Sequence, residues 1–284
     1  MRTKILAFLC CVISLITMSA YSGEAKEEKV NFDTPICLTV NDVYLKMDTE
    51  PFLFDGLTFV PIRFVSEALG AEVNWNAEKN SAQIKNDGAN IELPAGKKYA
   101  YVNGKKVPVG HSVKLVNDRT YVPVRFVSEN LGCNVGWDSS NYTVEIYKDG
   151  VVVNQNLIGK RGYSDDEIYW LSKIIHAESQ GEPMEGKIAV GNVVLNRVKS
   201  KMFPNTIYGV IFDRTHGTQF SPVSDGSIYQ TPLGDSVVAA KRALRGESKV
   251  SGSLYFLNPR IATSSWIVKN RIYHTTIANH DFYL

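Results

Sequence analysis

Residues 57–75, LTFVPIRFVSEALGAEVNW, align without a gap to residues 119–137, RTYVPVRFVSENLGCNVGW, at an offset of 62. The match extends back to Val40-Asn41-Asp42 against Val102-Asn103-Gly104 and forward to Ile84 against Ile146. Similarity at a fixed period means that one supersecondary unit is built twice. In each copy an Asn-Asp or Asn-Gly pair separates short alternating runs, the signature of a hairpin. Phe59-Val60-Pro61-Ile62 reads as the end of a strand. Pro61 then opens a short helix with Phe64, Val65 and Leu69 as its apolar stripe, and Gly70 closes it. Val73-Asn74-Trp75 alternates as a strand, and a last strand runs through Ile84. The spacing therefore predicts a β-rich tandem-repeat domain over 31–149, with one short helix in each copy and copies at about 37–86 and 99–148.

The chain of 284 residues has room for a second domain, and 44% hydrophobic with 21% charged residues excludes disordered, collagen-like and disulfide-scaffold classes. Arg2 and Lys4 precede an uncharged apolar run over 5–16, followed by the small residues Ser19, Ala20, Ser22 and Gly23. That order reads as a secretory signal peptide over 1–22. The run is shorter than the roughly 20 residues of a membrane span, so no stable span is expected after cleavage. Without Arg2 and Lys4 the 31 basic side chains fall to 29, equal to the 29 acidic ones, a balance that argues against a nucleic-acid binder. Beyond the leader only Cys37 and Cys133 remain. In an exported chain they either pair or pack as two small core thiols.

Gly, Asn and Gln residues with Lys160-Arg161-Gly162 mark a linker over 150–162 ahead of a second domain at 163–284. Ser164-Asp165-Asp166-Glu167 is a capping box that starts a helix. Ile168, Leu171, Ile174 and Ile175 fall within a stripe about 120° wide, and Glu178 lands near its middle. Gly181-Glu182-Pro183 breaks the helix, which places Glu178 in the last turn, where the dipole disfavours negative charge. Burial and the helix end both push its pKa up, as a glycosidic general acid requires. His176 cannot share a metal with Glu178, since residues two apart on a helix point about 160° from each other. Neither His274 nor His280 sits in a recognised metal spacing, and no metal or cofactor is expected. A second helix carries Ile188, Gly191, Val194, Leu195 and Val198, with Ala189 and Gly191 allowing close packing, and a third runs from about Leu233 to Arg245. Leu254-Tyr255-Phe256 and the segment after Arg271 read as strands. The fold class is α+β, a β-rich domain followed by a mainly helical one with a small β portion.

The pair FVPIRFVSEALG…VNW and YVPVRFVSENLG…VGW resembles the copper amine oxidase N-terminal-like stalk domain of exported Gram-positive proteins. No copper chemistry follows here, because His111 is the only histidine before residue 176. Arg63 with Glu67 and Arg125 with Glu129 read as helix-surface ion pairs. Trp75 and Trp137 read as core aromatics, with carbohydrate stacking the alternative. The resemblance implies a spacer or a module that binds a cell wall polymer.

The second domain resembles the SleB/CwlJ-type cell wall hydrolases, the spore-cortex-lytic enzyme family. The motifs are IIHAESQGEP around Glu178, Gly186-Lys187-Ile188-Ala189-Val190, Leu195-Asn196-Arg197-Val198, Phe203-Pro204-Asn205-Thr206, Gln219-Phe220-Ser221, Tyr255-Phe256-Leu257-Asn258-Pro259 and Asn279-His280-Asp281-Phe282. The resemblance implies a lysozyme-like catalytic domain acting on peptidoglycan glycan strands in the wall or spore cortex, with Glu178 as acid/base. Gln219, Phe220, Tyr255, Asn258 and Trp266 are then the candidates for lining the sugar groove, since amides bind acetamido groups and aromatic faces stack on rings. A muramidase or glucosaminidase needs two facing carboxylates, and only Glu182 and Glu185 stand near Glu178 in sequence. A lytic transglycosylase needs one, which makes it the favoured expectation. A hydrolytic glycosidase or a non-catalytic wall-binding protein is the alternative.

Overall fold

A computed structural model describes residues 30–284 except His216, so the expected signal peptide lies outside the described residues. The β-rich region begins with the hairpin β1 (Cys37–Val40) and β2 (Val43–Tyr44). Asn41 and Asp42 both take positive φ at its turn, which is what a tight two-residue turn between right-twisted strands demands. β3 (Phe52–Phe54) and β4 (Leu57–Pro61) form a second hairpin, followed by α1 (Ile62–Ala68), β5 (Glu72–Asn76), β6 (Ser81–Lys85) and β7 (Asn90–Pro94). The pattern then recurs 62 residues on: β8 (Tyr99–Val102), β9 (Lys105–Pro108), β10 (Lys114–Val116), β11 (Arg119–Pro123), α2 (Val124–Asn130), β12 (Asn134–Asp138) and β13 (Thr143–Tyr147).

The two segments are interleaved rather than side by side. One sheet, β12-β13-β1-β2, joins the last hairpin of the second segment to the first hairpin of the first segment. Another, β5-β6-β7-β8-β9, makes the reciprocal union with β7 inserted. Between them β4 and β11 pair antiparallel with Val60 opposite Val122. Those two valines are equivalent at the 62-residue offset, so a local two-fold axis passes between them. A continuous core of Leu38, Val60, Val65, Ile84, Val122 and Ile146 fills the space between the sheets and helices. Arg63–Glu67 and Arg125–Glu129 are exposed ion pairs at 3.4 and 3.2 Å. Trp75 and Trp137, expected in the core, are instead 44% and 40% exposed. Each shares the face of an inward valine two residues earlier, but sits past the end of the buried part of its strand. Cys37 and Cys133 are both free thiols and buried.

The C-terminal region contains α3 (Asp165–Ser179), α4 (Met184–Lys199), α5 (Ile207–Phe212), α6 (Ser221–Asp225) and α7 (Gly234–Leu244). It ends with β14 (Tyr255–Leu257), α8 (Trp266–Asn270), β15 (Tyr273–Ile277) and β16 (His280–Tyr283), the three strands making one antiparallel sheet in the order β14-β16-β15. The Ser164–Glu167 capping box closes both ways at the start of α3. Helices α3, α4 and α7 approach closely at Gly191, where an added Cβ would lie 2.9 Å from Ile175 Cδ1. The apolar faces of these helices, with Ile174, Ile175, Ile188, Val194 and Val237, form the second core.

The segment over 150–162 is strapped to the β-rich region and is not a free tether. The amide of Lys46 donates to Leu157 O at 2.8 Å and that of Gly159 to Tyr44 O at 2.7 Å. A Cβ at Gly159 would come within 2.9 Å of the Leu45 carbonyl oxygen, so a glycine is needed for that approach. Across the junction, the fully buried Lys241 of α7 donates to the carbonyls of Asn141 at 2.6 Å and Tyr142 at 3.0 Å, and its Nζ lies 3.5 Å from Cys37 Sγ. Arg245 pairs with Glu50 at 3.1 Å.

Candidate active site

The apolar stripe that draws α3 into the core carries Glu178 with it into the last turn. The glutamate is largely enclosed but keeps part of its surface open. Burial is the main cause that pushes its carboxyl up to about 7; Asp225 adds to the shift and Arg197 opposes it. Such a group is protonated about half the time at neutral pH, so it can give a proton and take one back.

Arg197 reaches this place by the same device. Val190, Val193, Val194 and Arg197 follow i, i+3, i+4, i+7 spacing on α4, so the helix face that packs inward delivers a guanidinium. Its Nε donates to the Leu254 carbonyl at 2.7 Å and its Nη1 lies 3.5 Å from Gln219 Oε1. The rings of Phe203, Phe220 and Tyr255 surround it at 4.9, 5.0 and 5.5 Å. Burial brings this arginine down to about 10, against the favourable fields of Tyr255, Asp213 and Glu178. The motif around Asn196-Arg197-Val198 did not reveal this role, although the arginine's place on the apolar stripe is a readable signal.

Asp225, at the end of α6, is exposed, and its carboxylate is held below the usual range by hydrogen bonds from Ser227. No periodicity in the sequence brings it to Glu178. Of the two carboxylates that sequence proximity suggested, neither is free for chemistry beside Glu178. Glu182 is buried and accepts from the Asn279 amide at 3.1 Å and from its Nδ2 at 3.0 Å, with His280 Nδ1 4.0 Å away. Its burial would raise its pKa, yet Asn279, His280 and Lys187 together hold it below the ordinary value. The backbone carbonyl of Glu182 also accepts from Lys187. Glu185 points to solvent, with Lys249 at 3.6 Å.

The expected groove residues divide. Gln219 and Tyr255 gather around Arg197. Tyr255 also joins Trp266 through Arg271, whose guanidinium lies 4.5 Å from the Tyr255 ring and 4.7 Å from that of Trp266. Arg271 donates to Tyr255 Oη at 3.0 Å. Trp266 is 50% exposed and so offers an open face. Phe220, by contrast, is buried in the core beneath Arg197 and has no face to present. Asn258 shapes its own turn: its Oδ1 accepts from the Arg260 amide at 3.0 Å. His176 is buried on the other side of α3, where Nδ1 faces the Leu233 amide at 3.4 Å, and burial lowers its pKa. Among the described residues no three His, Cys, Asp or Glu side chains converge as a metal site would require.

Residues 39–146 match the family described as copper amine oxidase N-terminal domain, and residues 181–283 match the cell wall hydrolases. Glu178 thus stands just ahead of the second match. The chain is 43% identical over 106 residues to a spore cortex-lytic enzyme of Bacillus cereus, which covers 37% of this chain and 40% of that relative. It is 30% identical over 103 residues to the cell wall hydrolase CwlJ of Oceanobacillus iheyensis, covering 34% of this chain and 72% of that protein. The solved catalytic domain of the germination-specific lytic transglycosylase SleB from Bacillus anthracis is 40% identical. It has a TM-score of 0.41 and covers 44% of this chain and 100% of that domain. The chain spans 40% of the length of the Bacillus cereus enzyme and 31% of that of its Halalkalibacterium halodurans counterpart.

Proposed function

Because the chain belongs to the cell wall hydrolase family, we propose that residues 163–284 cleave the glycan strand of peptidoglycan as a lytic transglycosylase, with Glu178 as the single acid/base. The observation that carries this reading is an enclosed Glu178, held near 7, while among the described residues the two glutamates nearest it in sequence are committed elsewhere. Glu182 is tied to Asn279 and Glu185 is in solvent.

Protonated Glu178 gives its proton to the bridging oxygen as the bond from the muramoyl C1 breaks. The resulting carboxylate is stabilised by the nearby Arg197 charge and then takes the proton of the C6 hydroxyl of the same residue. That oxygen closes on C1 and forms a 1,6-anhydro ring, so no water is consumed and Glu178 ends protonated. One group with a pKa near neutrality serves both transfers well. Tyr255, Trp266 and Gln219 are proposed to line the sugar groove, with Phe220 and Asn258 supporting its wall from beneath.

The apolar leader over 1–22 supports export, and the spore cortex-lytic relatives support action on cortex. Among the described residues no helix is long and apolar enough to cross a membrane. The β-rich half, two copies of one unit, is proposed to bind the wall polymer. Mass spectrometry of fragments released from purified peptidoglycan tests the chemistry: 1,6-anhydromuramoyl ends support it. Reducing ends favour the second reading, hydrolysis with Asp225 as base, for which the influence of Asp225 on the Glu178 carboxyl is the supporting observation.

A further inference from the structure

Two grooves on the β-rich region correspond at the 62-residue offset over most of their lining, the first carrying Asp118 and Arg119 where the second has Gly56 and Leu57. The first, of about 380 Å³, is walled by Pro61, Arg63 and Trp75. The second, of about 310 Å³, is walled by Pro123, Arg125 and Trp137. The facing wall in each case comes from the other segment, with Leu115 and Thr120 in the first and Leu53 and Thr58 in the second. This reciprocity follows from the two-fold axis between Val60 and Val122, which carries one groove onto the other.

Both grooves keep the same two chemical features open. The indoles are 44% and 40% exposed, although tryptophan is the side chain with most to gain from burial. The arginine side chains are 55% and 60% exposed and pair with the glutamates one turn along their own helices, pairs worth only a few tenths of a kcal/mol, and Arg125 Nη1 also donates to the Val135 carbonyl at 3.2 Å. Each guanidinium is therefore available to a stronger anionic partner. A flat apolar face beside a guanidinium fork suits a pyranose ring whose short peptide side chain ends in a carboxylate: the ring stacks on the indole and the carboxylate takes two N–H donors. A proline-rich peptide can also dock on aromatic grooves, but it makes no use of the repeated arginine.

We propose that the two grooves are equivalent subsites for peptidoglycan, its amino-sugar rings stacked on Trp75 and Trp137 and the carboxylates of its short peptide side chains held by Arg63 and Arg125. The assignment rests on the peptidoglycan reading above, but it concerns binding and not cleavage. Two linked sites raise avidity for an insoluble polymer by about 10²–10⁴ over one, so losing either should remove much of the binding.

The test is co-sedimentation of the full chain with purified insoluble peptidoglycan, alongside turnover of short soluble glycan fragments. Trp75→Ala and Trp137→Ala should each weaken sedimentation at least about tenfold, and the double variant should weaken it further. Turnover of soluble fragments should stay within about twofold of wild type. Because Trp137 also packs on Tyr142 at 5.2 Å, Arg63→Gln with Arg125→Gln provides a second, surface-only variant. It should weaken binding and flatten its salt dependence. A double Trp variant that sediments like wild type overturns the proposal, as does quenching of Trp fluorescence by a proline-rich peptide but not by glycan fragments. If wild type binds the wall in a Trp-dependent way yet turns nothing over, the grooves stand and the catalytic reading falls.

Discussion

Glu178 and Arg197 sit in the same enclosed site with opposite charges, and yet burial, not their attraction, sets both: the carboxyl is pushed up to about 7 and the guanidinium down to about 10. A fully formed ion pair would have lowered the first and raised the second. The pair is thus poised between a neutral carboxyl and an ionised one, which is the condition for proton transfer in both directions.

Replacing Glu178 by Gln keeps the shape and removes the proton. Activity on purified peptidoglycan should fall by about 10²–10⁴ or more, because in the proposed mechanism one group serves both steps. Binding to the insoluble wall should be unchanged. A Gln variant retaining more than about a tenth of wild-type turnover would place the acid elsewhere.

The same substitution should stabilise the fold, with a definite pH dependence. Between 4.5 and about 7 the folded state holds a proton that the unfolded state has released, so this group's contribution falls as pH rises through that window. Above pH 7 the penalty is complete and amounts to up to about 3 kcal/mol, reduced by the partial exposure of the side chain. Urea midpoints of Glu178→Gln and wild type should therefore coincide near pH 4 and separate by pH 8, the variant being the more stable. Equal separation at both pH values would contradict the assignment.

Catalysis should need protonated Glu178, so kcat/KM should decline above about pH 7 with one apparent pKa. Asp225 decides the chemistry. In a transglycosylase, Asp225→Asn should lower the midpoint of that decline, since the carboxylate raises the Glu178 pKa, and leave turnover below it within about tenfold. A hydrolase using Asp225 as base would lose turnover at every pH.

Lys241 ties α7 to the β-rich region through the Asn141 and Tyr142 carbonyls. Lys241→Ala removes a fully buried side chain and leaves the Asn141 carbonyl without this donor, which should destabilise the chain by about 2–4 kcal/mol. Lys241→Met fills the volume and should cost less. Residues 163–284 alone are expected to fold, with a melting temperature below that of the full chain, because Lys241 and the contact of Gly234 with Tyr142 lose their partners. Circular dichroism melts of the full chain, the two Lys241 variants and residues 163–284 check this.

Most of what depends on neighbours within a turn or a hairpin is legible in the residues alone, though the short helices α5, α6 and α8 are not. The 62-residue offset recurs in paired strands and helices from β1 and β8 to β6 and β13. The capping box starts α3, and the apolar stripe carries Glu178 inward. Tertiary structure alone decided which hairpin pairs with which. The two segments present nearly the same edges, so an identical local pattern fits either a pair of separate units or the interleaved sheets that form. The same holds for the site. Arg197 is one more helix residue until Phe203, Phe220 and Tyr255 close around it, and Phe220 reads as a groove aromatic until that closure buries it. Trp75 and Trp137 follow the alternation of inward residues and still remain exposed, because alternation sets the face of a strand while the extent of the core, fixed by distant segments, sets burial.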